Sequence, residues 1–127
     1  MNPYIKPADI VFSTRSEKYQ KLVDYLELKA NESTVIDIGC GEGIDSLALA
    51  HHFHAVYGID PSVSMLKAAR KNRNKIDKKN VRFYKGSVSN PYIKTADVVF
   101  VKNVLHMVEF SIPDLLKHVN PGGYLII

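Results

Sequence analysis

The rhythm of apolar and polar positions changes several times along the chain, and each change predicts an element. Tyr19, Leu22, Val23 and Leu26 fall near helical spacing and predict a helix over Glu17–Lys29, with Ser16 as its N-cap. Met1–Ser16 is mixed and interrupted by Pro3 and Pro7, so it predicts no regular element. Val35–Ile38 is a short apolar run closed by glycine, which reads as a buried strand. Asp45–Phe53 predicts a helix and Ala55–Ile59 a second strand. Pro61–Asn72 predicts a further helix, with Val63, Met65, Leu66 and Ala69 on its inner face. Val81–Tyr84 and Asp97–Val101 read as the third and fourth strands, Ile112–His118 as a helix and Tyr124–Ile127 as the fifth strand.

Strands alternating with helices predict an α/β fold with parallel strands. The strands are continuous apolar runs, as expected where helices cover both faces of the sheet. In such three-layer, doubly wound sheets the ligand lies beyond the carboxyl ends of the strands. The segments to inspect are therefore 39–43, 60–62, 86–89 and 102–106.

Composition narrows the class. A length of 127 residues predicts one domain, with 1–16 as an N-terminal segment and 17–127 as an α/β core. No apolar run approaches the roughly 20 residues that span a bilayer, and the start lacks the apolar core of a signal peptide. The single cysteine, Cys40, excludes an internal disulfide and a multi-cysteine metal site, which suits a cytoplasmic protein. A net charge of +4 does not by itself identify a partner.

The most informative chemistry follows the first strand. In Asp37-Ile-Gly-Cys-Gly-Glu-Gly43, glycines at 39, 41 and 43 permit a tight turn and a close backbone approach to a ligand. Glycines at strand-to-helix turns also occur for conformational reasons alone. Asp60 ends the second strand 21 positions after Gly39, where nucleotide-binding α/β folds place a carboxylate for ribose hydroxyls. The competing role for Asp60 is to cap the next helix, with Pro61 at its first position. A dinucleotide fingerprint needs glycine at 44, and the residue there is Ile44, which disfavours NAD.

VIDIGCGEG resembles the first motif of the class I S-adenosylmethionine-dependent methyltransferases. YGIDPS resembles their second motif, TADVVFVKNVLHMV their fourth-strand segment, and LLKHVNPGGYLII their helix, Pro-Gly-Gly turn and fifth strand. The matches run in order over residues 33 to 127.

The resemblance implies a Rossmann-like, mostly parallel sheet of methyltransferase type, and S-adenosylmethionine as cofactor. It implies that Gly39, Cys40 and Gly41 line the methionine part, and that Asp37 orients the loop and acts on the cofactor's amino group. It further implies that Asp60 accepts from the ribose hydroxyls, and that Pro61 and Ser62 border the adenosine. Many members carry Gly-Asp after the third strand, whereas this chain reads Gly86-Ser87-Val88. The adenine contacts would then come from the Ser87 hydroxyl, a neutral group roughly half as strong as a carboxylate, and from the Val88 N–H. Asn103 is implied at the cofactor. His106 is the candidate base facing the acceptor, against its packing under or capping the next segment.

The implied activity is methyl transfer to a small-molecule acceptor, with no membrane partner. One alternative is an inactive, methyltransferase-like binding or regulatory protein. Another is an RNA methyltransferase, suggested by nine of the seventeen Lys and Arg residues falling between Lys67 and Lys85. That run is read first as a solvated helix face and its following loop. His51, His52 and His54 cluster at a helix end, where cations are favoured, and no metal site is expected. Ser89-Asn-Pro-Tyr92 resembles the Asn-Pro-Pro-Tyr motif of amino-group DNA methyltransferases but lacks one proline and precedes the fourth strand, so it reads as a turn.

The resemblance also implies two further strands, six and seven, which are lacking before Ile127. The favoured expectation is that the chain is the cofactor-binding core of something longer. The alternative is that a partner or a second copy covers the fifth-strand edge.

Overall fold

The computed structural model describes residues 17–87, 95–101 and 112–127. Its elements are helix α1 (17–25), a 3₁₀ turn Ala30–Glu32, β1 Thr34–Ile38, α2 Ile44–Ala50, β2 Ala55–Asp60, α3 Val63–Ile76, β3 Val81–Lys85, β4 Ala96–Val101, α4 Ile112–Leu116 and β5 Val119–Ile126. The five strands form one sheet in the order β3-β2-β1-β4-β5, and every pairing is parallel. This is the expected α/β architecture.

Alternation along the strands divides the core in two. Val35, Val56, Val81, Val98 and Phe100 point to the face covered by α1, α2 and α3, where Tyr19, Leu47, Leu66 and Ala69 pack. Ile36, Ile38, Ile59, Val99 and Val101 point to the other face, where α4 contributes Leu115. Burial on both faces explains why the strands read as unbroken apolar runs.

Four boundaries differ from expectation. The first helix stops at residue 25 rather than at Lys29 and gives way to the 3₁₀ turn, whose Ala30 and Ser33 carbonyls accept the His54 N–H. The helix expected over Asp45–Phe53 is shorter, Ile44–Ala50, and that over Ile112–His118 ends at Leu116. The third helix starts at Val63, not Pro61. Ser62 is its N-cap and accepts the Met65 N–H at 3.3 Å. It then runs a turn past Asn72, to Asp77 in the left-handed region. Its inner face is Leu66 and Ala69, whereas Val63 (63% exposed) and Met65 (46%) lie outside the core, in the first turn.

The fifth strand begins at Val119, five residues early, so Pro121-Gly122-Gly123 lies inside it. The pairing with β4 shifts between Ala96 and Val98, and Gly122 has φ +79°. A Cβ on Gly123 would stand 2.2 Å from the Asp97 carbonyl oxygen, so glycine lets the strand close on its neighbour there. The motif is an irregularity within the ladder, and β5 occupies one edge of the sheet.

Candidate functional site

The carboxyl ends of β1, β2 and β3 converge on the glycine loop. Gly39, Gly41 and Gly43 all have positive φ (+74°, +54° and +85°), which non-glycine residues adopt at a cost of roughly 1–2 kcal/mol each. The loop is bonded to the end of β2, because the Gly39 and Cys40 N–H groups both donate to the Ile59 carbonyl, at 2.8 and 3.0 Å. Gly43 N–H closes the turn onto the Cys40 carbonyl, and the Leu47 N–H to Gly43 carbonyl bond begins α2. From the side, Asn72 of α3 donates to the Glu42 carbonyl at 3.0 Å.

The three glycines do different work. A Cβ at Gly43 would lie 2.7 Å from the Phe83 ring and 3.0 Å from the Ala69 methyl, so this glycine lets α2, α3 and β3 pack together. A Cβ at Gly41 would meet nothing within 4 Å. Gly41 therefore faces open space, and its missing side chain leaves room for a ligand against the backbone.

Two buried acids flank the loop. Asp60, 3% exposed, accepts the Gly41 N–H on Oδ2 at 2.9 Å and the Ser62 N–H on Oδ1 at 2.8 Å. It therefore orders the loops after β1 and β2 together, and Ser62 rather than Asp60 is the helix cap. A carboxylate offers roughly four acceptor positions, so these two bonds leave capacity for hydroxyls. Asp37, 2% exposed, accepts the Ser46 hydroxyl at 2.5 Å and so ties β1 to the first turn of α2. That fits the orienting role implied for it. Ser46 carries no motif signal, because the pairing depends on strand and helix being folded together.

Cys40 is buried between these acids, and its thiol is pushed well up, first by burial and then by the Asp37 and Asp60 charges. It is a packing and backbone position rather than a nucleophile. Pro61 is exposed and Ser62 half-buried beside Asp60. Ser87 lies two residues beyond β3, where the Gly86 N–H donates to the Asp60 carbonyl at 3.2 Å. Val88, Asn103, His106, Ser16 and the Ser89–Tyr92 turn lie outside the described residues.

At the same end of the sheet, Lys18, Tyr19, Leu22, Phe100, Val101, Ile126 and Ile127 line a cleft of about 300 Å³. Tyr19 packs edge-on against Phe100, with ring centroids 5.5 Å apart, and donates its hydroxyl to Asp45 at 2.6 Å. The histidines near the end of α2 do not converge. The His51 and His52 rings meet edge-to-face at 5.1 Å, and among the described residues no group of three or more His, Cys, Asp or Glu is placed to hold a metal ion. Among the described residues, too, no helix is long and apolar enough to cross a membrane.

A family model described as "Methyltransferase domain" matches residues 29–127. Among curated proteins, the chain is 34% identical over 83 residues to a probable S-adenosylmethionine-dependent methyltransferase of Saccharomyces cerevisiae, covering 61% of this chain and 28% of that protein. It is 31% identical over 128 residues to the ribosomal protein L11 methyltransferase of Campylobacter concisus, covering 99% of this chain and 46% of the relative. The chain thus spans less than half the length of these relatives. A solved putative S-adenosyl-L-methionine-dependent methyltransferase from Methanococcus maripaludis superposes with a TM-score of 0.79 at 22% identity, covering 93% of this chain and 57% of that one. Coclaurine N-methyltransferase, solved with N-methylheliamine and SAH, gives a TM-score of 0.73 at 18% identity, covering 98% and 38%.

Proposed function

The chain belongs to the methyltransferase domain family, and from that premise we propose that it binds S-adenosylmethionine at the carboxyl ends of β1 and β2 and transfers the methyl group to a small-molecule acceptor. The observation that carries the cofactor reading is the Asp60 carboxylate held against the Gly41 N–H, beside open space where Gly41 lacks a side chain. The donor set suits this cofactor. A ribose needs acceptors, and a cationic sulfonium tolerates the neighbouring acids at 37, 42 and 60.

Asp60 would hold the ribose hydroxyls by charge-assisted hydrogen bonds. Gly39, Cys40 and Gly41 would line the methionine part, and Pro61 and Ser62 would border the adenosine. Val63 and Met65 offer exposed apolar surface in the first turn of α3, three and five residues beyond Asp60, suited to an adenine face. When bound, the cofactor supplies an electrophilic methyl carbon: an acceptor lone pair forms the new bond as the carbon–sulfur bond breaks and its electrons go to sulfur. Positioning and exclusion of water carry much of such a rate, and a base is needed only where the acceptor must lose a proton. His106 is the candidate for that proton.

The acceptor reading rests on the cleft between α1, β4 and β5. Its volume lies at the lower end for small-molecule sites, and its lining is mainly apolar. The test is incubation with methyl-labelled S-adenosylmethionine and a panel of small amines, phenols and carboxylic acids. Labelled product together with S-adenosylhomocysteine supports the reading. Cofactor binding without transfer to any acceptor would favour an inactive binding protein.

A further inference from the structure

The cations between Lys67 and Lys85 are not spread evenly over the surface. Arg73 and Asn74 in the last turn of α3, Asp77 in its left-handed turn, Lys78 and Lys79 after it, and Arg82 of β3 together line a cleft of about 210 Å³. It holds four cations and one acid. Among the described residues, none of the four pairs with a carboxylate.

A helix C-terminus attracts cations through its dipole, which accounts for Arg73. That effect falls off within the last turn, so it does not account for Lys79 and Arg82. The Arg73 guanidinium is held in place by a 3.1 Å bond to the Val81 carbonyl, which leaves its other N–H groups to meet a ligand. The positive field extends beyond the cleft, since Lys78 adds to burial in lowering the proton affinity of His51 on the neighbouring helix.

The cleft lies where α3 ends and β3 begins, at the opposite end of the strands from the glycine loop. S-adenosylmethionine carries no phosphate, so the cofactor does not explain it. Lys67, Lys71 and Lys75 are exposed and recur every fourth residue along α3. They form a stripe that rises from the cleft for about 12 Å, at 1.5 Å per residue, towards the carboxyl end of the sheet. A cleft followed by a stripe of single-sign charge matches a chain of phosphates rather than one small anion.

We propose that this cleft and the Lys67–Lys71–Lys75 stripe dock the phosphate backbone of single-stranded RNA. No apolar side chain lines the cleft, which argues against a lipid surface, where burial of an apolar face supplies much of the binding. Asn74 adds an amide that both donates and accepts, matching the donor-and-acceptor character of a ribose 2′-hydroxyl. The site stands apart from the methyl-transfer reading and needs neither cofactor nor turnover.

The test is fluorescence anisotropy of a labelled, mixed-sequence, single-stranded RNA titrated with the chain at several salt concentrations. Binding is expected to weaken with a log–log slope of about −3, as four contacted phosphates on a single strand imply. Lys79→Glu combined with Arg82→Glu should weaken binding about tenfold or more and halve the slope. Arg70 and Arg73 are spared in this variant because both donate to β3 carbonyls. Lys117→Glu, on the exposed surface of the segment after α4, serves as the control and should leave binding unchanged. An unchanged thermal midpoint in each variant separates loss of binding from loss of fold.

Absent RNA binding at low salt, or binding indifferent to the double reversal, would overturn the proposal. Equal or tighter binding of single-stranded DNA would overturn the choice of RNA. Cosedimentation with phosphatidylserine vesicles without RNA binding would replace it with a membrane surface. Loss of cofactor binding by calorimetry, with RNA binding intact, would sink the methyl-transfer reading and leave this one standing.

Discussion

The carboxylate of Asp60 accepts the backbone N–H of Gly41 at 2.9 Å, so the acid that ends β2 is bonded to the middle glycine of the loop after β1. The other oxygen takes the Ser62 N–H. Asp60 is therefore structural before any ligand arrives. Asp60→Asn keeps the side chain's size but turns one acceptor into a donor that faces an N–H. It should cost about 1–3 kcal/mol of stability, the scale for a buried group left unsatisfied. Chemical denaturation of the variant against the parent checks this.

Gly41 and Gly43 should respond differently to alanine. Gly43→Ala puts a methyl against Phe83 and Ala69 at φ +85° and should destabilise the fold by about 2–4 kcal/mol, combining overpacking with backbone strain. Gly41→Ala meets only the backbone penalty, about 1–2 kcal/mol, since its Cβ has open space. It should lower cofactor affinity far more than it lowers the melting temperature. Paired thermal melts and titrations of the two variants would expose a reversed order.

Asp97 links the start of β1 to β5. It accepts the Thr34 N–H at 2.9 Å, the Thr34 hydroxyl at 3.3 Å and the Asn120 amide at 3.1 Å. The Thr34 N–H is the main reason its carboxyl is held below the usual range, against some opposition from burial and with help from the two side chains. A depressed folded-state pKa contributes stability above the unfolded carboxyl's pKa, and that contribution is lost as pH falls through the folded value. The stability gap between the parent and Asp97→Asn should be full at neutral pH and close on the acid side. Denaturation midpoints across a pH series measure it, and a gap that widened towards acid would refute the sign.

Cys40 should resist alkylation. Burial and the two neighbouring acids hold the thiol protonated, and the thiolate is the species that reacts. At about pH 8, near an ordinary thiol's pKa, iodoacetamide should label the native chain negligibly and the denatured chain fully. Mass spectrometry reads both states.

The strand order was accessible from sequence because each strand is an apolar run ended by glycine, acid or charge, and parallel pairing follows from the intervening helices. The site's acids were accessible because Asp37 and Asp60 sit at fixed distances from the glycines. Contacts made only after folding were not. Ser46 meets Asp37 across a strand and a helix, and Asn72 reaches the Glu42 carbonyl across thirty positions. Pro121-Gly122-Gly123 misled for a physical reason. Residues that make turns also make bulges, and only the closeness of Gly123 to the Asp97 carbonyl distinguishes them. Val63 and Met65 have the spacing of a core face, but they occupy a first turn that the core does not reach.

The most direct measurement is isothermal titration of the chain with S-adenosylmethionine and with S-adenosylhomocysteine. The account predicts one site for each ligand, and for Asp60→Asn an affinity lowered tenfold or more, since a charge-assisted bond carries about 1.5–3 kcal/mol and 1.4 kcal/mol is tenfold. No binding of either ligand to the folded chain, or equal affinity in Asp60→Asn, would contradict it.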